Sequence, residues 1–320
     1  MTRRAPSRRQ VLLGGVAIAA ASSLVRPARA ASSYALNPSE VAGGVWMIEG
    51  AQESLDAANG GAICNIVLLE TDAGAVIVDT GSTARFGAAL RAFADQRLGG
   101  VAAVFNTHHH PDHWLGNQAF ADRPVKALAD SMAAAEANGP DYATALYAIL
   151  GNWMTGTAPH PPAQAVAPGP VVIGGRALRL IEEAGHTGAD LAILDEETGT
   201  LVAGDLLFLD RAPSFPDADI AAWKRALERL ADLNPAGAVP GHGPLDRTGA
   251  ALAQTRAYLE GFDDRMTRAV TRGLSPMEAI LAGPMPEFAA MGANPEEYHR
   301  SVVQRWTDYE SEALPVVGGA

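Results

Sequence analysis

The stretch Thr107-His108-His109-His110-Pro111-Asp112-His113 sets four imidazoles and a carboxylate within seven residues, directly after the apolar run Val101-Ala102-Ala103-Val104-Phe105-Asn106. A β-like run that ends in a proline-containing loop presents such side chains at a sheet edge, where their short-range directions can close around a metal ion. A histidine-rich patch is also compatible with a solvated loop. The remaining histidines decide between the two. Only His109, His160 and His299 fall outside a larger pattern. His186 and His242 each occupy a glycine-flanked loop after an apolar run, and Asp205 does the same in Leu201-Val202-Ala203-Gly204-Asp205. Seven candidate metal ligands, His108, His110, Asp112, His113, His186, Asp205 and His242, thus recur at expected strand ends in four separate loops.

In this order, His108-x-His110-x-Asp112-His113 followed by His186, Asp205 and His242, the chain resembles the metallo-β-lactamase-fold hydrolases. The contexts Gly185-His186-Thr187-Gly188, Gly204-Asp205 and Pro240-Gly241-His242-Gly243 are similar to that family's loops, and the resemblance spans Val41 to Arg247. It implies an α/β protein of αββα type, two facing sheets with helices outside, the architecture that brings loops from two halves to one edge. It also implies a dinuclear centre. His108, His110 and His186 suffice for one Zn²⁺ with an open fourth position, Asp112, His113 and His242 supply a second ion, and Asp205 bridges. Iron or manganese are the alternative metals. Two cations sharing a water lower its pKa to about 7. The implied activity is therefore attack of a metal-bridging hydroxide on an ester, thioester, lactone or amide carbonyl, with Asp112 as the candidate catalytic residue that helps the leaving group depart.

Two other readings of the same pattern stay open. One is hydrolysis of β-lactams, for which the resemblance is poorer because the lactamases lack a bridging carboxylate. The other is an iron-dependent redox or sulfur-handling protein on the same fold, against which His110 argues, since flavin-linked relatives carry an acidic residue there. A narrower resemblance lies in Gly204-Asp205-Leu206-Leu207-Phe208-Leu209-Asp210-Arg211-Ala212-Pro213-Ser214, with Trp223 and Pro240-Gly241-His242-Gly243-Pro244. It is similar to exported zinc metallohydrolases associated with periplasmic quinoprotein dehydrogenase and sulfur-oxidation systems. That resemblance implies a quinoprotein as a candidate partner, with Arg211 and Ser214 fixing the loop after Asp205. The family also implies that Asp79 supports the metal loops from beneath, and that Gln52 to Asn59 is a flap above the metals.

Residues 1–30 read as an export signal rather than as part of the fold. Arg3, Arg4, Arg8 and Arg9 precede the apolar run Val11 to Ala21, and Ala28-Arg29-Ala30 offers a cleavage site. The pair Arg8-Arg9 resembles a twin-arginine signal, which implies delivery to the periplasm. The run is too short to span a membrane comfortably, so no stable insertion is expected after cleavage. Removing six of the 24 basic residues leaves 18 against 36 acidic ones, a formal charge of about −18 compared with −12 for the whole chain. Such a surface repels phosphate backbones and argues against nucleic-acid binding. A small-molecule substrate is the expected partner. The single Cys64 excludes an intramolecular disulfide and, beside Ile63 and Ile66, reads as a small core residue. No HExxH, Walker lysine loop or GxSxG elbow is present.

The expected domains are a hydrolase domain over 31–247 and a helical C-terminal extension over 248–320 packed on it. Val45 to Ile48, Ile63 to Leu69 and Ala75 to Val78 read as a β-meander with one buried face, and Thr83 to Arg97 as a helix with Phe86, Leu90 and Phe93 on one face. A helix over Ser131 to Asn138 leads into a proline-rich, lid-like stretch ending near Pro170. In the second half Ala177 to Ile181 leads to His186, and Leu191 to Leu194 pairs with Leu201 to Ala203 ahead of Asp205. Ala238 to Pro240 then delivers His242. The tail, Leu245 to Tyr309, reads as a helical cap without ligand residues.

Overall fold

The computed structural model describes residues 33–313. The signal segment expected at 1–30 lies outside the described residues. The first half contains β1 (Ser39–Ala42), β2 (Val45–Ile48), β3 (Ile66–Thr71), β4 (Gly74–Val78), α1 (Ala84–Arg97), β5 (Val101–Phe105), α2 (Pro111–Trp114), β6 (Lys126–Ala127), α3 (Ala129–Leu150) and β7 (Gln164–Ala165). The second half contains β8 (Gly169–Ile173), β9 (Arg176–Glu183), β10 (Asp190–Asp195), β11 (Thr200–Phe208), α4 (Ile220–Asp232), β12 (Gly237–His242), α5 (Ala250–Thr271), α6 (Pro276–Leu281) and α7 (Glu296–Ala313). No helix among the described residues is long and apolar enough to cross a membrane.

Strand alternation builds the layers. Successive residues of a strand point to opposite faces, and here both faces are covered, so the strands are almost continuously apolar. Val67, Leu69, Val76 and Val78 face Leu191, Ile193, Val202 and Val239 across the space between the two sheets. Their neighbours Ile66, Leu68 and Ile77 turn the other way onto Phe86, Leu90 and Ala94 of α1. In the second sheet Ala192, Leu194 and Leu201 turn outward onto Trp223, Leu227 and Leu230 of α4. The result is the expected αββα sandwich. The first sheet has the order β1-β2-β3-β4-β5-β6-β7 and the second β12-β11-β10-β9-β8. A parallel step through α1 joins β4 to β5, and one through α4 joins β11 to β12. Thr83 starts α1 by accepting the Phe86 N–H on its hydroxyl at 3.0 Å.

Three elements differ from the sequence reading. The helix expected at Ser131 to Asn138 runs on through Pro140 to Leu150. A proline inside a helix normally breaks it, but Leu146 and Leu150 bury against Trp114, Leu115 and Met154, and that packing outweighs the lost bond. The strand before Asp205 does not stop there: β11 continues to Phe208, with irregular register on either side of Gly204. The C-terminal helices are more than a cap. Tyr258, Leu259, Phe262, Tyr298, Val302 and Trp306 share one continuous core with Phe208, Phe215 and Trp223.

Candidate metal centre

The edge of the sandwich collects the polar ends of these strands. The turn after β5 carries His108 and His110, and α2, opened by Pro111 at its first position, carries Asp112 and His113. His186 lies between β9 and β10, Asp205 within β11, and His242 ends β12. All seven are buried, at 8% exposure or less. The ligand atoms of His108, His110, His186 and Asp205 lie within 4.8 Å of one another, as do those of His113, Asp205 and His242. Asp205 is therefore common to both groups. Its Oδ2 is 3.3 Å from Nε2 of His186 and of His242 and 3.9 Å from Nε2 of His108, while its Oδ1 is 3.1 Å from Nε2 of His113. Asp112 Oδ2 lies 3.4 Å from His242 Nε2 and 3.6 Å from His113 Nε2. Tetrahedral ligands with bonds of 2.0–2.1 Å stand about 3.3 Å apart, so these separations suit cations seated among them.

The surrounding hydrogen bonds decide which nitrogen of each imidazole faces inward. A carboxylate can only accept, so His113 Nδ1 donates to Asp79 Oδ2 (2.7 Å) and leaves Nε2 for the cluster. Asp79 Oδ2 also accepts from Thr107 Oγ1 (2.8 Å), whose oxygen is then free to accept from His108 Nδ1 (3.0 Å). His242 Nδ1 donates to the Ile63 carbonyl at 2.8 Å. His110 is turned the opposite way: Nε2 donates to Asp217 Oδ2 (2.9 Å), and Nδ1 sits 2.8 Å from His186 Nε2. Such outer carboxylates and carbonyls fix tautomer and ring orientation at metal sites. His108 Nε2, His113 Nε2 and Asp205 Oδ1 are buried inside the cluster with no hydrogen-bond partner of their own. Buried polar atoms without partners are costly, and a cation satisfies all three. The donor set thus fits metal.

Backbone features serve the same geometry. Asp79 has φ +65°, an uncommon conformation for a residue other than glycine, and from it the carboxylate reaches both Thr107 and His113. A Cβ at Gly241 would lie 1.9 Å from Asp205 Oδ1, so a side chain there would displace the shared carboxylate. Asn65 ties the start of the loop after β2 to the His242 loop, donating to the carbonyls of Pro240 (2.8 Å) and Gly243 (2.7 Å) while its Oδ1 accepts the Gly50 N–H.

Burial keeps His108 and His186 far below the ordinary imidazole range, in the neutral form that ligates. For His113 and His242 burial acts the same way but is outweighed, chiefly by Asp205, and both are raised. Burial opposes ionisation of Asp205 and Asp112 as well, yet the facing histidines hold both carboxylates low. A cation entering this site displaces the protons of His113 and His242. The sign of the pH dependence follows. A raised imidazole stabilises the fold below its unfolded value near 6.5 and loses that contribution as pH rises through the higher folded value. Burial also raises Asp190, which holds the Thr187 turn beside His186, to about 7. Its contribution is likewise lost as pH rises from about 4 toward that value. Below about pH 6.5 the lowered His108 and His186 act in the opposite sense, so chelator-treated protein is expected to melt at progressively lower temperature from pH 6.5 to 9, while the gain in Tm on adding zinc grows. A zinc increment that shrinks with pH would contradict the assignment.

Two participants escaped the sequence reading. Asp217, in the loop before α4, binds both His109 Nε2 (3.2 Å) and His110 Nε2, and these two imidazoles hold its carboxyl well below the usual range. No local signal marks it, because its role depends on how Phe215 anchors the loop. His109, set outside the ligand pattern, is buried and borders the site through Asp217. His160 and His299 are half-buried and belong to none of the clusters. Cys64, read as a core residue, does pack with Ile66 and Leu68, but its thiol also donates to the Asp112 carbonyl (2.8 Å) and borders His113. Asp217→Asn is expected to lower zinc affinity about 10- to 100-fold, read by competition with a chromogenic chelator. Unchanged affinity would remove Asp217 from the site.

A cavity of ≈ 160 Å³ opens over His110, Asp112, Asp205 and His242, walled by Leu55, Ile63 and Tyr142. Arg211, Ser214, Glu297, Arg300 and Gln304 also line it.

A two-sheet sandwich with helices outside and a buried histidine–carboxylate cluster at one edge defines a class of metal-dependent hydrolases. A family model described as the metallo-beta-lactamase superfamily matches residues 59–242, and the chain belongs to that superfamily. No curated protein matches the chain. Among solved structures, a beta-lactamase domain protein from Burkholderia ambifaria is 22% identical, with a TM-score of 0.61 over 88% of this chain and 91% of that one. A metallo-beta-lactamase from Pontibacter korlensis is also 22% identical, with a TM-score of 0.57 over 71% of this chain and 99% of that one. The metallo-beta-lactamase FIM-1 from Pseudomonas aeruginosa, in a mono-zinc form, is 21% identical, with a TM-score of 0.57 over 71% and 96%. At these identities the likeness concerns the fold.

Proposed function

We propose that this protein is a dinuclear zinc hydrolase acting on an ester, thioester, lactone or amide carbonyl. The observation that carries the reading is the convergence of His108, His110, Asp112, His113, His186, Asp205 and His242 at one edge of the sandwich, where His110, Asp112, Asp205 and His242 line a cavity. When bound, two Zn²⁺ ions supply Lewis acidity toward a carbonyl oxygen and a water deprotonated near neutral pH. His108, His110 and His186 would hold one ion, His113, His242 and Asp112 the other, with Asp205 between them. Asp79 and Asp217 keep the ring nitrogens aimed inward, so the donors need no reorganisation on binding. Leu55, Ile63 and Tyr142 exclude bulk water from one side of the cavity. Asp112, whose carboxyl the facing histidines hold low, lines that cavity, and the carboxylate oxygen not given to the ion would take up a proton and return it to the departing group.

The leader read at residues 1–30 supports a periplasmic site of action, and the run from Gly204 to Ser214 makes a quinoprotein system its candidate setting. The similar solved structures described as metallo-beta-lactamases make β-lactam hydrolysis the second enzyme reading. Zinc-loaded and chelated protein would be assayed against an aryl ester, a thioester, a lactone and a chromogenic cephalosporin. Metal-dependent turnover of the ester, thioester or lactone with a weak response to the cephalosporin is the expected outcome. Turnover of the cephalosporin alone would favour a β-lactamase, and iron retained in place of zinc would favour redox chemistry.

A further inference from the structure

One linked part of the cavity wall comes from α7 and the loop after β11, and α7 lies outside the matched residues 59–242. Its composition is unlike the floor. Arg211 is buried, its guanidinium 5.9 Å from the Phe208 ring centre, and its Nη1 donates to the Ala212 carbonyl at 3.2 Å. Glu297 is fully buried and neither carboxylate oxygen has a hydrogen bond. It stands 3.8 Å from Arg211 Nη2 and 3.4 Å from Arg300 Nη1. Two guanidiniums therefore share one carboxylate, and the wall keeps a surplus of one positive charge. Arg300 is the member that reaches solvent: its side chain is 45% exposed and, among the described residues, its one ion pair is through Nη1. Five N–H donors on a planar fork leave an edge open to a second carboxylate. Ser214 and the exposed Gln304 add neutral donors on the same wall. In a chain of net charge −12, a cationic wall over the cavity is a local reversal of sign, the arrangement that draws in an anion.

We propose that Arg300, held by Glu297 and backed by Arg211, is a specificity-determining residue that binds a carboxylate on the substrate. This rests on the hydrolase reading and narrows its substrate class to carbonyl compounds bearing a monoanionic group. One surplus charge and a free guanidinium edge match a carboxylate better than a doubly charged phosphate.

The test is calorimetric and needs no turnover. Zinc-loaded protein is titrated with mercaptoacetate, 3-mercaptopropionate and 4-mercaptobutyrate and with the corresponding amides, whose thiol seeks the metal while only the acid offers a carboxylate. At the chain length that spans the cavity, the acid is expected to bind about 10- to 100-fold more tightly than its amide. In Arg300→Gln that ratio should fall to near one, and in Arg300→Lys, which keeps the charge without the fork, it should be intermediate. Because Arg300 is half-exposed, both variants are expected to fold, and the ratio cancels any general weakening. An acid no tighter than its amide at every length, or a preference that survives Arg300→Gln, overturns the subsite alone. Failure of acids and amides alike to bind overturns the metal centre and the subsite with it.

Discussion

Asp205→Ala is expected to reduce the metal content from two ions per chain toward one and to cut turnover on the order of 10³-fold, the several kcal/mol that a second cation contributes to a developing charge. The expectation follows from one residue's position. Asp205 is the only carboxylate common to both ligand groups, and its two oxygens contact His113 on one side and His186 and His242 on the other. The same change removes the main charge that raises His113 and His242. The fall in stability of chelated protein with rising pH should flatten accordingly. Metal analysis by plasma emission reads the first effect and thermal melting the second. An unchanged stoichiometry of two would defeat the bridging role.

Phe262→Ala is expected to cost about 3–5 kcal/mol of stability, the usual loss for truncating a large buried aromatic ring. Phe262 is fully buried on α5 and stacks on Phe215 with ring centres 4.5 Å apart and planes 14° apart. It also meets the edges of Tyr298 and Tyr309 on α7. The substitution thus opens a void where the C-terminal helices join the sandwich, beneath the loop that carries Asp217. Urea denaturation should show a single transition with a lower midpoint. A loss below about 1 kcal/mol, or a separate early transition, would mean that residues 248–320 form a unit of their own rather than part of the common core.

Much of this molecule was legible because its signals are local or ordered along the chain. Val67, Leu69, Val76 and Val78 lie with Ile66, Leu68 and Ile77 in short apolar runs bounded by turns, which assigned the strands; the single buried face expected of them is two, because α1 covers the side turned away from the second sheet. The histidines and Asp205 follow apolar runs, so a reader of spacing alone groups them. The misses have one physical character. Asp205 lies within β11 because Gly204, at φ +52°, bends the strand without ending it. Pro140 fails to end α3 because distant side chains bury Leu146 and Leu150. Asp217, Glu297 and Arg300 reach the site only through packing of Phe215 and α7 against α5, contacts that no periodicity encodes. Charge on a helix reads as solvated surface, and for Glu297 that expectation fails completely.

The most direct test is diffraction from crystals of zinc-saturated protein on either side of the zinc absorption edge. The account predicts two anomalous peaks flanking Asp205, one within bonding distance of His108, His110 and His186 and the other of His113 and His242. No peak among these residues, or zinc bound only at the protein surface, would contradict it.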